Sequence, residues 1–210
     1  LKCWGFNSNG QLGIGSSTQQ ITPQMVGLGI GRTAVSVSLG QYHTCAVLDD
    51  DSVKCWGANS NGQLGIGNVI NKNTPQSVSI GNNSTAKLVK LGYSQSCAIL
   101  DDGALKCWGQ ESGVLIGLDL NSFHSVPIFT GLKADQGVKH LSLGEYYTCA
   151  VLDDGRLKCW GINSSGQLGI GSQIGQTTPQ TVDLGIGRTA VSISTGYGHA
   201  CAILDDGTLK

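Results

Sequence analysis

Short runs of alternating apolar and polar residues recur along the chain, separated by turn residues. In the run AVSVSLG at residues 34–40, most apolar side chains alternate with polar ones, as in a strand with one buried face. The run is followed by the apolar segment TCAVL, an acidic turn, the segment VKCWG and a later stretch that contains TPQ. This pattern predicts three or four short β-strands per unit, and no stretch shows helical periodicity.

The tryptophans and cysteines give the length of the unit. The four tryptophans each stand between a cysteine and a glycine and are 52 residues apart: Trp4, Trp56, Trp108 and Trp160. One such unit cannot bury both of its faces and has to stack on its neighbours, as the blades of a propeller do. We therefore predict an all-β fold, a β-propeller built of 52-residue blade repeats, with residues 1–210 forming a single array of four repeats.

The segment GANSNGQLGIG at residues 57–67 recurs with small changes at residues 5–15 and 161–171. Together with the apolar strand, the hairpin and the WG pair, it resembles the repeat signature of the regulator-of-chromosome-condensation family. The resemblance covers all four repeats and implies a propeller, usually of about seven blades. That family includes a nucleotide exchange factor, light receptors and secreted enzyme inhibitors, so the resemblance does not imply one function. No exchange-factor residue matches a position of this chain.

The cysteines are predicted to pair across hairpins. The loop of residues 101–103, Asp-Asp-Gly, fits a type I turn followed by a left-handed glycine. This register places Cys97 opposite Cys107 at a non-hydrogen-bonded pair, with Cα atoms about 4.5 Å apart, which a disulfide can span. The same count pairs Cys45 with Cys55, where Asp51 replaces the turn glycine, and Cys149 with Cys159. Buried free thiols and a zinc site are the alternatives, but no pair has the short spacing typical of zinc ligands.

Disulfides imply an oxidising compartment, so we predict a secreted or extracellular protein. Glycosylation sequons at Asn82, Asn83 and Asn163 suit that location, although Asn and Ser are also common in turns. The first ten residues lack the apolar core of a signal peptide, and no apolar run reaches the length of a membrane span.

Cys3 and Cys201 remain outside this pairing. Leu1-Lys2 recurs as Leu209-Lys210, so the sequence stops within the strand with which it begins. Three arrangements are open: a closed ring with a Cys3–Cys201 bond, a segment of a larger propeller whose two cysteines bond elsewhere, and copies joined head to tail. A boundary inside a strand is an unusual natural terminus, so the segment of a larger, about seven-bladed propeller is preferred.

The most variable positions lie after Gly40 and its repeats. In repeat arrays the repeated positions form the scaffold and the varied positions contact partners, and tyrosine gives large contact areas at low entropic cost. The candidate binding residues are Gln41, Tyr42, His43, Tyr93, Glu145, Tyr146, Tyr147, Tyr197 and His199. We expect all five tyrosine rings on one face and partly exposed; rings that fill the propeller channel are the alternative.

The third repeat departs most from the others. Residues 111–117 replace the NSNGQLGIG segment, and Phe123, His124 and Phe129 follow. Exposed aromatics clustered there would form a binding patch. Sequence drift with the rings buried between blades is the preferred interpretation.

Composition and charge narrow the classes of function. The 32 glycines and the 13% of charged residues are typical of a turn-rich β protein. The net charge is −1 and basic residues do not cluster, which argues against a nucleic-acid partner. No Ser, His and Asp set has catalytic context, and the acidic pairs are explained by their turns, so we expect no enzyme activity, no metal and no cofactor.

The leading hypothesis is an extracellular, non-catalytic propeller scaffold that recognises a protein or a glycan. The first alternative is a structural subunit of an extracellular filament that self-associates through open repeat ends. The second is a regulator similar to a guanine-nucleotide exchange factor, against which the cysteines argue.

Overall fold

The computed structural model describes residues 1–81, 84–110, 123–132 and 136–210. These residues form sixteen β-strands, as the alternating pattern predicts. Within these ranges no helix is long and apolar enough to cross a membrane. The strands are β1 (Lys2–Gly5), β2 (Gln20–Met25), β3 (Ala34–Leu39), β4 (His43–Leu48), β5 (Val53–Gly57), β6 (Lys72–Val78), β7 (Ala86–Leu91), β8 (Gln95–Leu100), β9 (Leu105–Gln110), β10 (Phe123–Phe129), β11 (Val138–Leu143), β12 (Tyr147–Leu152), β13 (Leu157–Gly161), β14 (Gln176–Thr181), β15 (Ala190–Thr195) and β16 (Ala200–Leu204).

The strands pair in chain order into five sheets. Three of them are four-stranded blades: β3-β4-β5-β6, β7-β8-β9-β10 and β11-β12-β13-β14. The other two are two-stranded, and we call β1-β2 the first half-blade and β15-β16 the last half-blade. The first half-blade repeats the third and fourth strands of a blade, and the last half-blade repeats the first and second. In both β3-β4 and β15-β16 the register shifts at the same point, after the first paired residue.

The central hairpin of each blade confirms the predicted cysteine register. Cys45 lies opposite Cys55 and Cys149 opposite Cys159. Disulfides join Cys45–Cys55, Cys97–Cys107 and Cys149–Cys159, with Cα atoms 4.1, 4.0 and 4.2 Å apart. Asp51 has a φ of 59°, so it does replace the left-handed turn glycine of the other hairpins. Cys3 and Cys201 are free thiols.

The described residues divide into two compact units. The first contains residues 1–101, 106–110 and 123–128, and therefore the first half-blade and the blade β3 to β6. The second contains residues 102–105 together with the described part of 129–210, and therefore the blade β11 to β14 and the last half-blade.

Within the first unit, each repeat covers the tryptophan of the next. The carbonyl oxygen of Gln11 accepts hydrogen bonds from Trp56 Nε1 at 2.9 Å and from Thr44 Oγ1 at 2.8 Å. One repeat later, the carbonyl oxygen of Gln63 accepts from Trp108 Nε1 at 2.9 Å and from Ser96 Oγ at 2.8 Å. The QLG segment of one repeat thus packs against the indole ring of the next repeat and accepts its hydrogen bond; we call this contact the indole seat.

Trp4 differs from the other three tryptophans in its exposure. Trp56, Trp108 and Trp160 are fully buried, whereas Trp4 is 60% exposed. It lies in β1, where no described QLG segment of a preceding repeat covers it. For Trp56 and Trp108, the hydrogen bond that accompanies burial of the indole ring is therefore supplied by the preceding repeat.

We predict that Gly65→Ala destabilises the fold more than Gly67→Ala does. Both residues have positive φ, 70° and 78°, so each alanine costs about 1–2 kcal/mol in the left-handed region. A Cβ on Gly65 would lie 2.7 Å from Trp108 Nε1, whereas on Gly67 the nearest atom is 3.9 Å away. The overpacking should cost Gly65→Ala about 1–3 kcal/mol more, measured by urea denaturation. Equal losses for the two variants would show that the indole seat tolerates the extra carbon.

Candidate functional site

A tight turn joins the first and second strands of every sheet that contains both. Its three residues follow a glycine, and we call them the triplet loops: residues 41–43, 93–95, 145–147 and 197–199. In each loop the glycine N–H donates to the carbonyl oxygen of the third residue, at 2.9, 3.0, 2.9 and 2.8 Å. All four loops therefore have the same closed backbone, whatever their sequence.

Further backbone bonds hold the middle residue of the loops. The carbonyl oxygen of Tyr42 accepts from Ala58 N at 2.8 Å, and the carbonyl oxygen of Tyr146 accepts from Ile162 N at 2.8 Å. In the first unit, adjacent loops are also bonded to each other, because Gln41 N donates to the carbonyl oxygen of Tyr93 at 3.3 Å. The loops thus present their side chains from a fixed backbone, which lowers the entropic cost of binding.

The first two positions of the loops lie at the surface, apart from a buried Ser94 and the glycine at 198. Tyr197 is 76% exposed and Tyr42 is 40% exposed. Gln41 is exposed, and Tyr93, Glu145 and Tyr146 are half-buried. These six residues, together with the exposed His199 at the third position of the last loop, remain the candidate binding residues.

The third position points into the fold in three of the loops. His43 is buried, and its Nε2 lies 3.0 Å from the Oγ of Ser96, on β8 of the next blade. Tyr147 is fully buried, and its hydroxyl donates to the carbonyl oxygens of Gly196, at 3.1 Å, and of His199. The expectation that His43 and Tyr147 present their rings to a partner is wrong, because these rings join one sheet to the next. His199, in the last half-blade, is exposed.

Burial controls the charge of His43. Loss of solvent lowers the pKa of this imidazole to about 4, and the backbone of Gln95, acting as a hydrogen-bond acceptor for the ring, opposes this shift without cancelling it. Its Nδ1 is buried and has no hydrogen-bond partner among the described residues. The ring is therefore neutral at physiological pH and serves as a packing and hydrogen-bonding group.

An aromatic group beside the first triplet loop was missed by the sequence analysis. The ring centroids of Phe6 and Tyr42 are 6.0 Å apart and the rings are tilted by 51°. Phe6 is 54% exposed and, with Trp4, lines a groove of about 380 Å³ that also touches Val37 and Leu39. The sequence contains one signal for this aromatic group: the repeat position that Phe6 occupies is an alanine, Ala58, in the next repeat.

The carboxylates of the acidic turns form hydrogen bonds and ion pairs with nearby residues. Asp50 Oδ1 accepts from Ser52 Oγ at 2.6 Å, and this bond, together with nearby Arg32, lowers the pKa of the carboxyl. Arg188 pairs with Asp206 at 3.0 Å in the last half-blade, as Arg32 pairs with Asp50 at 3.0 Å. In the parts of the chain that the structure describes, no three His, Cys, Asp or Glu side chains come together as metal ligands.

The sequon at Asn163 has a structural explanation. The side chain is 1% exposed, its Nδ2 donates to the carbonyl oxygens of Ser172 at 2.8 Å and Ile174 at 3.2 Å, and its Oδ1 accepts from Leu168 N. Asn7 and Asn59 make equivalent bonds in their repeats. A glycan on Asn163 would break this set of bonds. The sequons at Asn82 and Asn83 lie outside the described residues.

The third-repeat segment 111–117 also lies outside the described residues, so its proposed role stays a prediction. Phe123 is 49% exposed and Phe129 is 58% exposed. Burial of these rings between blades, the preferred interpretation from sequence, is therefore wrong for both.

Models of a known repeat family match most of the chain. One model of the regulator of chromosome condensation (RCC1) repeat matches residues 3–47, 50–99 and 154–203, and a second model of that repeat matches 34–63 and 138–167. The ultraviolet-B receptor UVR8 of Arabidopsis thaliana is 28% identical over 205 residues, which cover 98% of this chain and 47% of the receptor. The human probable E3 ubiquitin-protein ligase HERC6 is 32% identical over 204 residues, which cover 95% of this chain and 20% of the ligase.

Solved structures share the fold at lower sequence identity. Human WBSCR16 superposes with a TM-score of 0.83 at 23% identity, covering 97% of this chain and 52% of that one. Yeast RCC1 (Prp20), solved bound to Kap60, gives a TM-score of 0.79 at 19% identity, covering 95% and 48%. The chain thus has the blades of an RCC1-type β-propeller and spans about half or less of the length of these proteins.

We predict that His43→Gln reduces the loss of stability on acidification. The folded-state pKa of His43, about 4, lies below the 6.5 of an unperturbed histidine. Only the unfolded state therefore takes up this proton as the pH falls from 6.5 towards 4, and that uptake costs the fold roughly 3 kcal/mol at the lower end. Glutamine, which occupies the equivalent position 95, should remove this part of the pH dependence of urea midpoints between pH 4 and 7. His140→Gln, at an exposed site, is the control and should leave the slope unchanged. The burial argument fails if the wild type and His43→Gln lose stability in parallel.

Proposed function

Because the chain belongs to the regulator of chromosome condensation (RCC1) repeat family, we propose that it is a protein-binding propeller segment whose triplet loops, taken within each unit, are the recognition elements. The observation that carries this proposal is the different placement of the residues within loops 41–43 and 145–147. The third residue, His43 or Tyr147, bonds to the next sheet, while the first two residues reach the surface on a hydrogen-bonded backbone. The surface residues differ in every repeat, although the backbone that carries them does not.

The chemistry of the surface favours a protein partner. Tyr42 and Tyr197 are large, amphipathic and exposed, and tyrosine has only two side-chain torsions to immobilise on binding. A carboxylate is added by Glu145 and an amide by Gln41, so hydrogen-bonding groups surround the rings. A glycan partner stays a prediction.

The comparisons are consistent with this role. Yeast RCC1 (Prp20), which shares the fold, was solved in complex with the protein Kap60. HERC6 is named as a ligase, but this chain covers only 20% of its length. We therefore propose no catalytic activity for this chain.

We further propose a secreted or extracellular location. Its support is the three disulfides, which persist in oxidising compartments and are rare in the reducing cytosol. An exchange-factor function has less support, since that role would place these cysteines in a reducing environment.

Site-specific crosslinking is the first experiment, because it can identify the partner. A photoreactive phenylalanine analogue at position 42 or 197 should crosslink to the partner. The same analogue at position 50 or 102, in the hairpin turns at the opposite ends of β4 and β8, is the control and should not. Crosslinks only from the hairpin turns would move the recognition surface to the other end of the strands.

Once a partner is captured, we predict that Tyr42→Ala and Tyr197→Ala each weaken its binding. Interface energy concentrates in a few aromatic anchors, so each loss should be about 2 kcal/mol, roughly thirtyfold in Kd by titration calorimetry. Tyr147→Phe removes a buried hydroxyl and is the matched control: it should lower the melting temperature and leave Kd unchanged. Unchanged Kd for both exposed tyrosines would exclude the triplet loops as the binding surface.

A further inference from the structure

A polar groove lies between the first and second repeats, inside the first unit. One wall is formed by Ser8, Asn9 and Ser17, which lie between β1 and β2, and the other by residues 71–74 and 76, where β6 begins. The groove has a volume of about 450 Å³, which is in the range of small-molecule sites. Its lining residues belong neither to β1 and β2 nor to the last half-blade, so the open sheet edges are not part of it.

The side chains that line the groove are all polar, and none is acidic. They are carboxamides and hydroxyls, together with one ammonium group, that of Lys72. A carboxamide and a hydroxyl can each donate and accept hydrogen bonds. An apolar ligand would bury no apolar side chain of the protein here, and the side chains of a peptide strand would find no apolar pocket. The lining therefore favours a ligand rich in hydroxyl groups.

Hydrogen bonds fix the two walls relative to each other. Gly15 N donates to the carbonyl oxygen of Asn73 at 2.8 Å, and Asn71 Nδ2 donates across the groove to Asn9 Oδ1 at 3.3 Å. The walls are also in direct contact, since a Cβ on Gly10 would lie 2.6 Å from Asn73 Cα. The groove is therefore preformed, which lowers the entropic cost of binding.

Two groups on the second wall are available to a ligand. Among the residues that the structure describes, the ammonium of Lys72 and the side-chain carboxamide of Asn73 have no hydrogen-bond or ion-pair partner. Lys72 is half-buried. By contrast, Gln76 Nε2 already donates to Thr74 Oγ1, at 3.1 Å. A ligand in the groove thus meets one uncompensated positive charge beside a free amide.

The contact between the second and third repeats has the same backbone and different chemistry. Gly67 N donates to the carbonyl oxygen of Ser125 at 2.7 Å, as Gly15 N does to that of Asn73. Residues 71–74, Asn-Lys-Asn-Thr, are replaced there by Phe-His-Ser-Val at residues 123–126. The fold therefore does not require the polar side chains of the first contact, which leaves ligand binding as a reason for their presence.

We propose that this groove, which we call the amide groove, binds an acidic saccharide. The carboxylate or sulfate of the sugar lies at the ammonium of Lys72, and its hydroxyls exchange hydrogen bonds with Asn73 and the other polar side chains. A single cation among the lining residues suits one acidic group per sugar unit. Because no aromatic ring lines the groove to stack on the sugar, we expect a Kd on the order of 1 mM.

The amide groove is separate from the triplet loops. Lys72 pairs with Gly57, and Gly57 pairs with His43, so the groove lies at the same end of its blade as loop 41–43 and two strands further out. The inference does not rest on the proposed function, since saccharide binding in the groove and protein binding at the loops can each fail alone.

An NMR titration of the isotope-labelled chain tests the proposal. The probes are hyaluronan tetrasaccharide, which is acidic, and tetra-N-acetylchitotetraose, which is neutral. The acidic probe should give saturable shifts of the backbone amides of residues 8–17 and 71–76, and the neutral probe should bind about fivefold more weakly. No saturable shift up to about 20 mM, shifts centred on loop 41–43, or equal affinity for the two probes would overturn the proposal.

Sodium sulfate distinguishes a saccharide site from a site for simple anions. Sulfate alone offers the charge without the sugar hydroxyls, so it should bind more weakly than the acidic tetrasaccharide and shift mainly the amides around Lys72. If sulfate binds as tightly as the tetrasaccharide, the groove is an anion site and the assignment to a saccharide is wrong.

Point variants separate the charge from the amide. Lys72→Met should lower the affinity for the acidic tetrasaccharide about fivefold and leave that for the neutral one unchanged, whereas Asn73→Ala should weaken both about fivefold. Lys90→Met, at an exposed lysine in β7, is the matched control and should bind as the wild type does. Melting temperatures should stay unchanged, because neither groove side chain has a partner in the protein. Wild-type affinity in both groove variants would overturn the proposal.

The next repeat supplies a variant designed to fold. The triple variant Lys72→His, Asn73→Ser and Thr74→Val copies residues 124–126 onto β6, in a backbone that already carries them one repeat later. It should abolish the shifts caused by the acidic tetrasaccharide and keep the wild-type melting temperature. Retained binding in a folded triple variant would show that the saccharide does not contact the second wall and would overturn the proposal.

Discussion

The fold of the first unit depends on backbone carbonyl oxygens of one repeat that accept hydrogen bonds from the next repeat. The carbonyl oxygens of Gln11 and Gln63 each accept an indole N–H and a hydroxyl from the following repeat. A buried polar group left without a partner costs about 1–3 kcal/mol, so the tryptophan of a blade is stable in the core only when the preceding QLG segment is in place. Stability therefore resides between repeats as much as within them, as expected for a quasi-linear array.

The triplet loops show that variation in a repeat does not by itself mark a binding residue. His43 and Tyr147 differ in size and chemistry, yet both are buried and both bond to the next repeat. The acceptors differ as well: a serine hydroxyl in one joint and backbone carbonyls in the other. Variation at this position reflects pairwise fit between neighbouring sheets, whereas Tyr42 and Tyr197 have exposed side chains.

Local rules allowed the strands and disulfides to be predicted from sequence. The acidic turn sets the hairpin register, and the register alone brings Cys97 to Cys107 and demands a left-handed Asp51. The exposure of Trp4 and the burial of His43 could not be predicted in this way, because both depend on contacts with a different repeat. Alternation along a strand shows which residues share a face, but whether that face is covered is decided by the neighbour.

The disulfide Cys45–Cys55 lies next to the strand pair that contacts the preceding repeat, where the pairing register of the hairpin decides whether that contact can form. Cys45–Cys55 is adjacent to the pair Thr44 and Trp56, the two residues that donate to Gln11. A slip of one residue would turn Trp56 to the opposite face of the sheet and separate it from that carbonyl. The disulfide closes a loop that the hairpin already closes, so on the chain-entropy model it adds at most roughly 3 kcal/mol of stability. Its larger effect is to hold the hairpin in the one register in which the next repeat can dock.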